Sequence, residues 1–195
     1  MQGVKIHPSA DVSARANIGS GTCIWNQAHI RKGARIGKNC VISKNVYIDF
    51  DVKIGNNVKI QNNSSIYHGT TIKNGVFIGP HVCITNDKIP RAITSDGNLK
   101  KASDWIVNGV IIETGASIGA GSILLPGITI RKYAMIGSGS VVTKSVPEHG
   151  LVFGNPARIN GYICKCGEII NNKIHEEIIL KCDKCKTNLK IKNMS

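Results

Sequence analysis

Four cysteines near the C-terminal end are spaced as two close pairs: Cys164-Lys165-Cys166, fifteen further residues, then Cys182-Asp183-Lys184-Cys185. Two such pairs can gather four sulfurs around one ion, the donor set of a structural zinc site, and four thiolates leave no open position for catalysis at the metal. A segment beginning near residue 160 is too short to bury a core of its own, so zinc would contribute its folding energy. The first pair is one residue tighter than a usual ribbon knuckle, and a reduced, metal-free tail is the alternative. Cys23, Cys40 and Cys83 fall elsewhere and read as small fillers or surface thiols.

A second set of residues could carry acid-base or binding chemistry. His68, in Ile66-Tyr67-His68-Gly69, and His81, in Gly79-Pro80-His81-Val82, are the candidates for a general base, although either also suits a surface turn. His7, His29, His149 and His175 have less to recommend them. Asn86, Asp87 and Arg91 open a long segment, Thr85 to Trp105, and could reach a polar ligand; they equally suit turn chemistry before Pro90. Trp105 is expected to anchor this segment by burial. No nucleophile elbow, phosphate-cradling glycine loop or pair of acids at hydrolase spacing is present.

The elements that must hold these residues follow from a period of six. Ile6, Val12, Ile18, Ile24, Ile30, Ile36, Ile42, Ile48, Ile54, Ile60, Ile66, Ile72, Ile78 and Ile84 form an unbroken series, and Ile112, Ile118, Leu124, Ile130, Ile136 and Val142 resume it. Four residues after each of the first thirteen comes a small or β-branched residue, from Ala10 to Val82. Neither a helix nor simple strand alternation has this period, whereas a short strand followed by a turn, repeated, does. Three hexads make an eighteen-residue triangular coil with the aliphatics stacked inside, so the class is all-β, a parallel β-helix. Gly19, Gly33, Gly37, Gly55, Asn56, Asn57, Asn62, Asn63, Asn74, Gly75 and Gly79 are expected at corners that need positive φ. The step from Ile84 to Ile112 is not a multiple of six, so an inserted loop over about 85–105 leaves the wall. The expected organisation is a β-helix domain over 1–159 and a small zinc-ribbon-like tail over 160–195. Flat prism faces call for a homo-oligomer.

Lys and Arg number 25 against 12 Asp and Glu, a net charge of +13. That balance points to polyanions, but no helix-turn-helix, aromatic-basic or long basic signature supports nucleic acid. Small polyphosphates such as coenzyme A or a nucleotide sugar satisfy the same charge, and many of the lysines suit a solvated surface. No apolar run reaches the roughly 20 residues of a membrane span, and the first residues show no apolar leader, so the cytoplasm is the expected compartment.

Beyond the bare repeat, several segments together resemble one subgroup of the hexapeptide-repeat acyltransferases, the N-acetyltransferases of nucleotide-linked 3-amino sugars. They are Ile60-Gln61-Asn62-Asn63, Tyr67, Thr85-Asn86-Asp87, Pro90-Arg91-Ala92, Val141-Val142-Thr143-Lys144-Ser145-Val146-Pro147 and Gly154-Asn155-Pro156-Ala157-Arg158, then Cys-x-Cys-Gly167. The resemblance covers residues 4 to about 167. It implies a left-handed β-helix, a homotrimer with active sites between subunits, and a CoA-dependent N-acyltransferase of surface-polysaccharide or glycan synthesis. Acetyl-CoA would lie along the later coils, its pantetheine on backbone groups around Ala116, Ser122 and Ser140 and its phosphates on Lys144 and Arg158. A UDP- or dTDP-linked amino sugar would meet Gln61, Asn63, Tyr67, Asp87 and Arg91. Asn86 matches the residue that hydrogen-bonds the reacting amine, and no counterpart exists of the loop histidine used by related O-acetyltransferases. Positioning alone, with the departing thiolate taking the proton, can then carry the reaction. Transfer to a 4-amino sugar, transfer of another acyl group, and a non-enzymatic scaffold or binding module are the competing readings.

Overall fold

The computed structural model describes residues 3–170 and 178–191; His175 lies outside them. Each aliphatic of the six-residue series is the second residue of a two-residue strand, giving twenty such strands from Lys5–Ile6 to Val141–Val142. They stack as three parallel sheets, the faces of a triangular prism. The first face carries Lys5–Ile6, Cys23–Ile24 and their successors, the second starts at Asp11–Val12 and the third at Asn17–Ile18. Partners are eighteen residues apart, as in Ile24↔Ile42, Ile42↔Ile60 and Ile60↔Ile78. The interior is therefore a column of isoleucine on isoleucine, with Ala28, Ala34, Val46, Val52 and Val58 filling the space beside it. Thr22, Ser64 and Ser122 also point inward, and each hydroxyl donates to the carbonyl of a glycine fifteen residues on, Gly37, Gly79 and Gly137. This is the β-helix that the repeat predicts. No helix among the described residues is long and apolar enough to cross a membrane.

The corners obey a stricter rule than the glycine and asparagine content suggests. From Ile18 to Ile136, with the insertion excepted, the third residue after every aliphatic has positive φ: Gly21, Gln27, Gly33, Asn39, Asn45, Asp51, Asn57, Asn63, Gly69, Gly75, His81, Gly115, Gly121, Gly127, Tyr133 and Gly139. Gly33, Asn57, Asn63 and Gly75 match the expectation, whereas Gly19, Gly37, Gly55, Gly79, Asn56, Asn62 and Asn74 do not have positive φ. The glycines among these are required by contact instead. A Cβ on Gly37 would sit 2.5 Å from the Gly55 carbonyl oxygen, and one on Gly19 would sit 2.5 Å from the Gly37 carbonyl carbon. Asn56 and Asn74 form a ladder, their Oδ1 atoms accepting from the N–H groups of Lys38 and Asn56, both at 2.8 Å.

Across the insertion the register lengthens from eighteen to forty residues, with Ile72↔Ile112, Ile78↔Ile118 and Ile84↔Leu124 still paired. Twenty-two residues thus leave the wall and return without disturbing the stack. Their neck is closed by the Asn108 N–H on the Asn86 carbonyl at 3.0 Å and by an antiparallel bridge between Asp87 and Val107; a second bridge joins Ile93 and Leu99. The arm closes upon its own backbone, and Trp105 is not the buried anchor expected of it. It is 46% exposed, in company with exposed Ile89, Leu99 and Ile106.

At the far end the parallel stack is succeeded by a chain reversal. Gly150–Gly154 pairs in parallel with Met135–Ile136, then Ala157–Ile163 pairs antiparallel with Gly150–Gly154. The expected boundary between residues 159 and 160 falls inside this second strand. Ile169–Ile170 follows on its other side, and Ile178–Lys181 pairs with Asn188–Ile191 in a separate hairpin. Buried His149 fastens the reversal, its Nδ1 2.7 Å from the Ile163 carbonyl oxygen.

Gly37→Ala should destabilise the chain by about 1–3 kcal/mol through overpacking, and Ile60→Ala, which empties part of the fully buried column, by about 2–5 kcal/mol. Urea unfolding measures both. A Gly37→Ala chain as stable as its parent would show that the corners are not in close contact.

Candidate functional site

The most connected polar cluster lies where the arm leaves the second face. Thr85 extends strand Cys83–Ile84 and donates both its N–H and its Oγ1–H to the Leu124 carbonyl. Asn86 is the next residue, half-buried, and its Nδ2 donates to the His68 carbonyl at 3.2 Å. His68 is eighteen residues earlier, so the two occupy one column in successive coils. The His68 ring stacks on Phe50, one coil below, with centroids 3.9 Å apart and planes at 16°, and its Nδ1 lies 2.9 Å from the Phe50 carbonyl oxygen.

Beneath this pair is an acid taken out of water. Asp49 is 6% exposed, the one buried acid among the described residues. Its Oδ1 accepts from Arg31 at 2.7 Å, from the Tyr47 hydroxyl at 3.0 Å and from the Phe50 N–H at 2.8 Å; its Oδ2 accepts from the His68 N–H at 3.2 Å. Hydrogen bonds to Tyr47 and Asp49 hold the Arg31 guanidinium above its usual pKa, and burial pushes the Tyr47 hydroxyl up, keeping it a donor. Arg31 also stands 5.3 Å from the Phe50 ring centroid. Arg31, Tyr47, Asp49 and Phe50 were not among the residues expected from sequence. The available signal was columnar: 31, 49, 67 and 85 share one register and 50, 68 and 86 another.

The other expected residues are more scattered. Tyr67 adjoins His68 and meets Tyr47 at 5.6 Å between ring centroids. Asn63 is a rung of a corner ladder, its Oδ1 accepting from Asn45 Nδ2 at 2.9 Å and its Nδ2 3.2 Å from His81 Nε2. His81 thereby belongs to a corner and not to the Asn86 cluster. Gln61 is half-buried and its N–H donates to the Ile78 carbonyl. Asp87 turns the chain by accepting the Ile89 N–H at 2.9 Å, and it lines a cavity of about 390 Å³ with Lys88, Lys100, Asp104 and Asn108. Arg91 is exposed and donates to the Pro90 carbonyl.

On the later coils Ala116, Ser122 and Ser140 are fully buried, Ser122 and Ser140 each bonding the Gly137 carbonyl. Their side chains face the prism interior, so any contact with a ligand would be made by the main chain. Lys144 and Arg158 come together on one cavity of about 330 Å³, with Val142, Pro147 and Tyr162.

In the tail, the sulfurs of Cys164, Cys166, Cys182 and Cys185 all lie within 4.8 Å of one another, with Cys164 to Cys185 at 3.4 Å and Cys166 to Cys182 at 3.6 Å. Thiolates each about 2.3 Å from one zinc ion in a tetrahedron are about 3.8 Å apart. The donor set and its spacing fit that ion. Tyr162, Leu189 and the buried Cys164 and Cys182 form a small separate core there.

Against known proteins, the family model described as bacterial transferase hexapeptide (six repeats) matches residues 15–49 and 51–86, and that described as hexapeptide repeat of succinyl-transferase matches 109–144. A curated relative from Aneurinibacillus thermoaerophilus, dTDP-3-amino-3,6-dideoxy-alpha-D-galactopyranose 3-N-acetyltransferase, is 41% identical over 74 residues, which is 38% of this chain and 38% of that one. The chain therefore matches well under half the length of this relative. Among solved structures, a UDP-N-acetylglucosamine acyltransferase from Bacteroides fragilis superposes with a TM-score of 0.65 at 22% identity, over 83% of this chain and 62% of that one. A hexapeptide transferase family protein from Anaplasma phagocytophilum gives 0.50 at 19% identity, over 83% and 80%. At these identities the structural likeness is one of fold. The family matches together span more than half of the 195 residues and coincide with the stacked coils, and the chain belongs to the hexapeptide-repeat transferases.

Proposed function

We propose that this chain transfers an acetyl group from acetyl-CoA to the C3 amino group of a UDP- or dTDP-linked sugar, supplying a surface polysaccharide or another glycan. The observation that carries this reading is the 41% identity to a relative named as a 3-N-acetyltransferase of such a sugar. Geometry supports it at Asn86. With Nδ2 occupied by the His68 carbonyl, the carboxamide presents its oxygen as the remaining acceptor, suited to an amine N–H. A neutral amine held there attacks the thioester carbonyl; the C–N bond forms, the C–S bond breaks, and the electron pair leaves on sulfur, which takes up the proton that the nitrogen loses. Holding the two reactants in this orientation supplies much of the rate.

The donor runs along the later coils, its pantetheine against the peptide groups of Ala116, Ser122 and Ser140 and its phosphates against Lys144 and Arg158, which share one cavity. The nucleotide sugar approaches from the opposite side, toward Gln61, Asn63, Tyr67, Asp87 and Arg91. Three chains associate, because flat prism faces and an arm with exposed Ile89, Leu99, Trp105 and Ile106 need a covering surface. Zinc holds the tail through Cys164, Cys166, Cys182 and Cys185, contributing folding energy and no chemistry. Closely set thiols of this kind suit a reducing compartment, the cytoplasm.

Thiol release from acetyl-CoA with a panel of UDP- and dTDP-linked 3-amino and 4-amino sugars tests the reaction; silence across the panel ends it. Asn86→Ala should lower turnover about 10²-fold or more, the loss expected when a reacting group is misplaced, and wild-type turnover would remove Asn86 from the site. Protein purified without chelator should contain one zinc per chain by elemental analysis, and a zinc-free, folded tail would refute the metal site. Light scattering should return roughly three times 21.0 kDa; a monomer at micromolar concentration would eliminate any site shared between subunits.

A further inference from the structure

We propose that Asp49 is a positioning residue for the acceptor amine, acting through the main chain of His68 on the Asn86 carboxamide. The proposal rests on the reading of Asn86 given above and assigns a role to the one buried acid among the described residues.

The path can be followed atom by atom. Thr85 donates its N–H and Oγ1–H to the Leu124 carbonyl, and the Asn86 carbonyl accepts from the Asn108 N–H at 3.0 Å, so the main chain at Asn86 is held from both sides. What remains to be set is the side chain. A carboxamide turned end for end has nearly the same shape, and only its hydrogen bonds decide which end meets an amine. The His68 carbonyl can only accept, so at 3.2 Å it draws Nδ2 and leaves Oδ1 for the substrate.

That carbonyl belongs to the central peptide of a turn from Tyr67 to Thr70, closed by the Thr70 N–H on the Tyr67 carbonyl at 3.3 Å and with Gly69 at φ +88°. Turn types I and II differ in the orientation of this peptide, so its direction depends on how His68 is held. Asp49 holds it twice. Its Oδ2 accepts the His68 N–H at 3.2 Å, and its Oδ1 accepts the N–H of Phe50, whose carbonyl meets His68 Nδ1 and whose ring stacks on the imidazole.

A corner does not need an acid for this purpose. Elsewhere in the prism the N–H groups of Lys38 and Asn56 are taken by the neutral Oδ1 atoms of Asn56 and Asn74. Burying a carboxylate is unfavourable unless it is paired and hydrogen-bonded, so an acid at this corner calls for a reason beyond packing. Its partners supply one. Arg31 and Tyr47 both bind Oδ1, at 2.7 and 3.0 Å, which fixes the carboxylate and leaves Oδ2 to the His68 N–H. In Asp49→Asn the single oxygen would be claimed by these donors, and an N–H would face the N–H of His68.

The test is a double-mutant cycle in steady-state kinetics, with acetyl-CoA and the amino sugar that the wild type uses, across wild type, Asp49→Asn, Asn86→Ala and the double variant. Asp49→Asn should lower kcat by about 10-fold to 10²-fold, the loss expected when a reacting group is slightly misplaced, with KM for acetyl-CoA unchanged. Once Asn86 is alanine, the same substitution should change kcat by no more than about 2-fold. Equal losses in the two backgrounds, or an unimpaired Asp49→Asn, overturn the proposal and leave the reading of Asn86 intact. An unimpaired Asn86→Ala defeats that reading and the proposal with it. Should Asp49→Asn fail to fold, Arg31→Gln takes its place in the cycle, since the Arg31 side chain is 41% exposed and its removal empties no core. A loss of kcat that vanishes in the Asn86→Ala background is expected, and no loss, or an equal loss in both backgrounds, overturns the proposal.

Discussion

Everything in this molecule depends on hydrogen bonds that run from one coil to the next. Lys59 N–H reaches the Val76 carbonyl and Gln61 N–H the Ile78 carbonyl, at 3.0 and 2.9 Å, and the same step recurs up each face. No strand is longer than two residues in the prism, so no strand is stable by itself and each coil holds its neighbours in place. The constraint that follows is columnar. Whatever stands at one position stands directly over the residue eighteen earlier, inside or outside the wall.

Inside, that constraint selects for sameness: isoleucine stacks on isoleucine because parallel strands with a shared period leave identical spaces. Outside, it makes neighbours of residues that differ. Arg31, Asp49 and Tyr67 rise in one column and Phe50, His68 and Asn86 in the next, so an ion pair with its acid buried, a stacked ring and a carboxamide become a single polar cluster on an otherwise repetitive surface. The arm begins where that second column reaches Asn86. The polar cluster therefore stands at the point where the repeat is interrupted, supported by coils that do not vary.

Much of the architecture was legible in the chain. The period of six located all twenty short strands, and the step from Ile84 to Ile112 located the excursion, because both are properties of spacing alone. What failed depended on environment. Gly37 looked like a turn residue, yet it is needed because another coil passes within contact distance, and spacing along one chain does not reveal what lies above it. Trp105 looked like an anchor by its size, but the arm closes on its own main chain through Asn86 and Asn108. The four tail cysteines were legible because their pairing is local. Asp49 was not, since a lone acid beside an isoleucine gives no sign of burial until the Arg31 and His68 coils are laid against it. Ala116, Ser122 and Ser140 were expected to meet a ligand through their backbone groups; their side chains fill the interior, which leaves only peptide groups to face outward.

The reversal at Gly150–Gly154 and Ala157–Ile163 has a consequence for how such a chain can change its length. Above the last coil an antiparallel strand occupies the edge on which another coil would be laid, so the stack is closed to growth at that end. Below it, any block of eighteen residues could be gained or lost while every column kept its alignment. The forty-residue step at the arm shows the other permitted change, an excursion of arbitrary length that leaves and re-enters at one corner. Evolution of this scaffold is thereby quantised: coils come and go in whole units, loops vary freely between fixed exits, and intermediate lengths within the wall are forbidden by the misalignment that they would impose on every coil above.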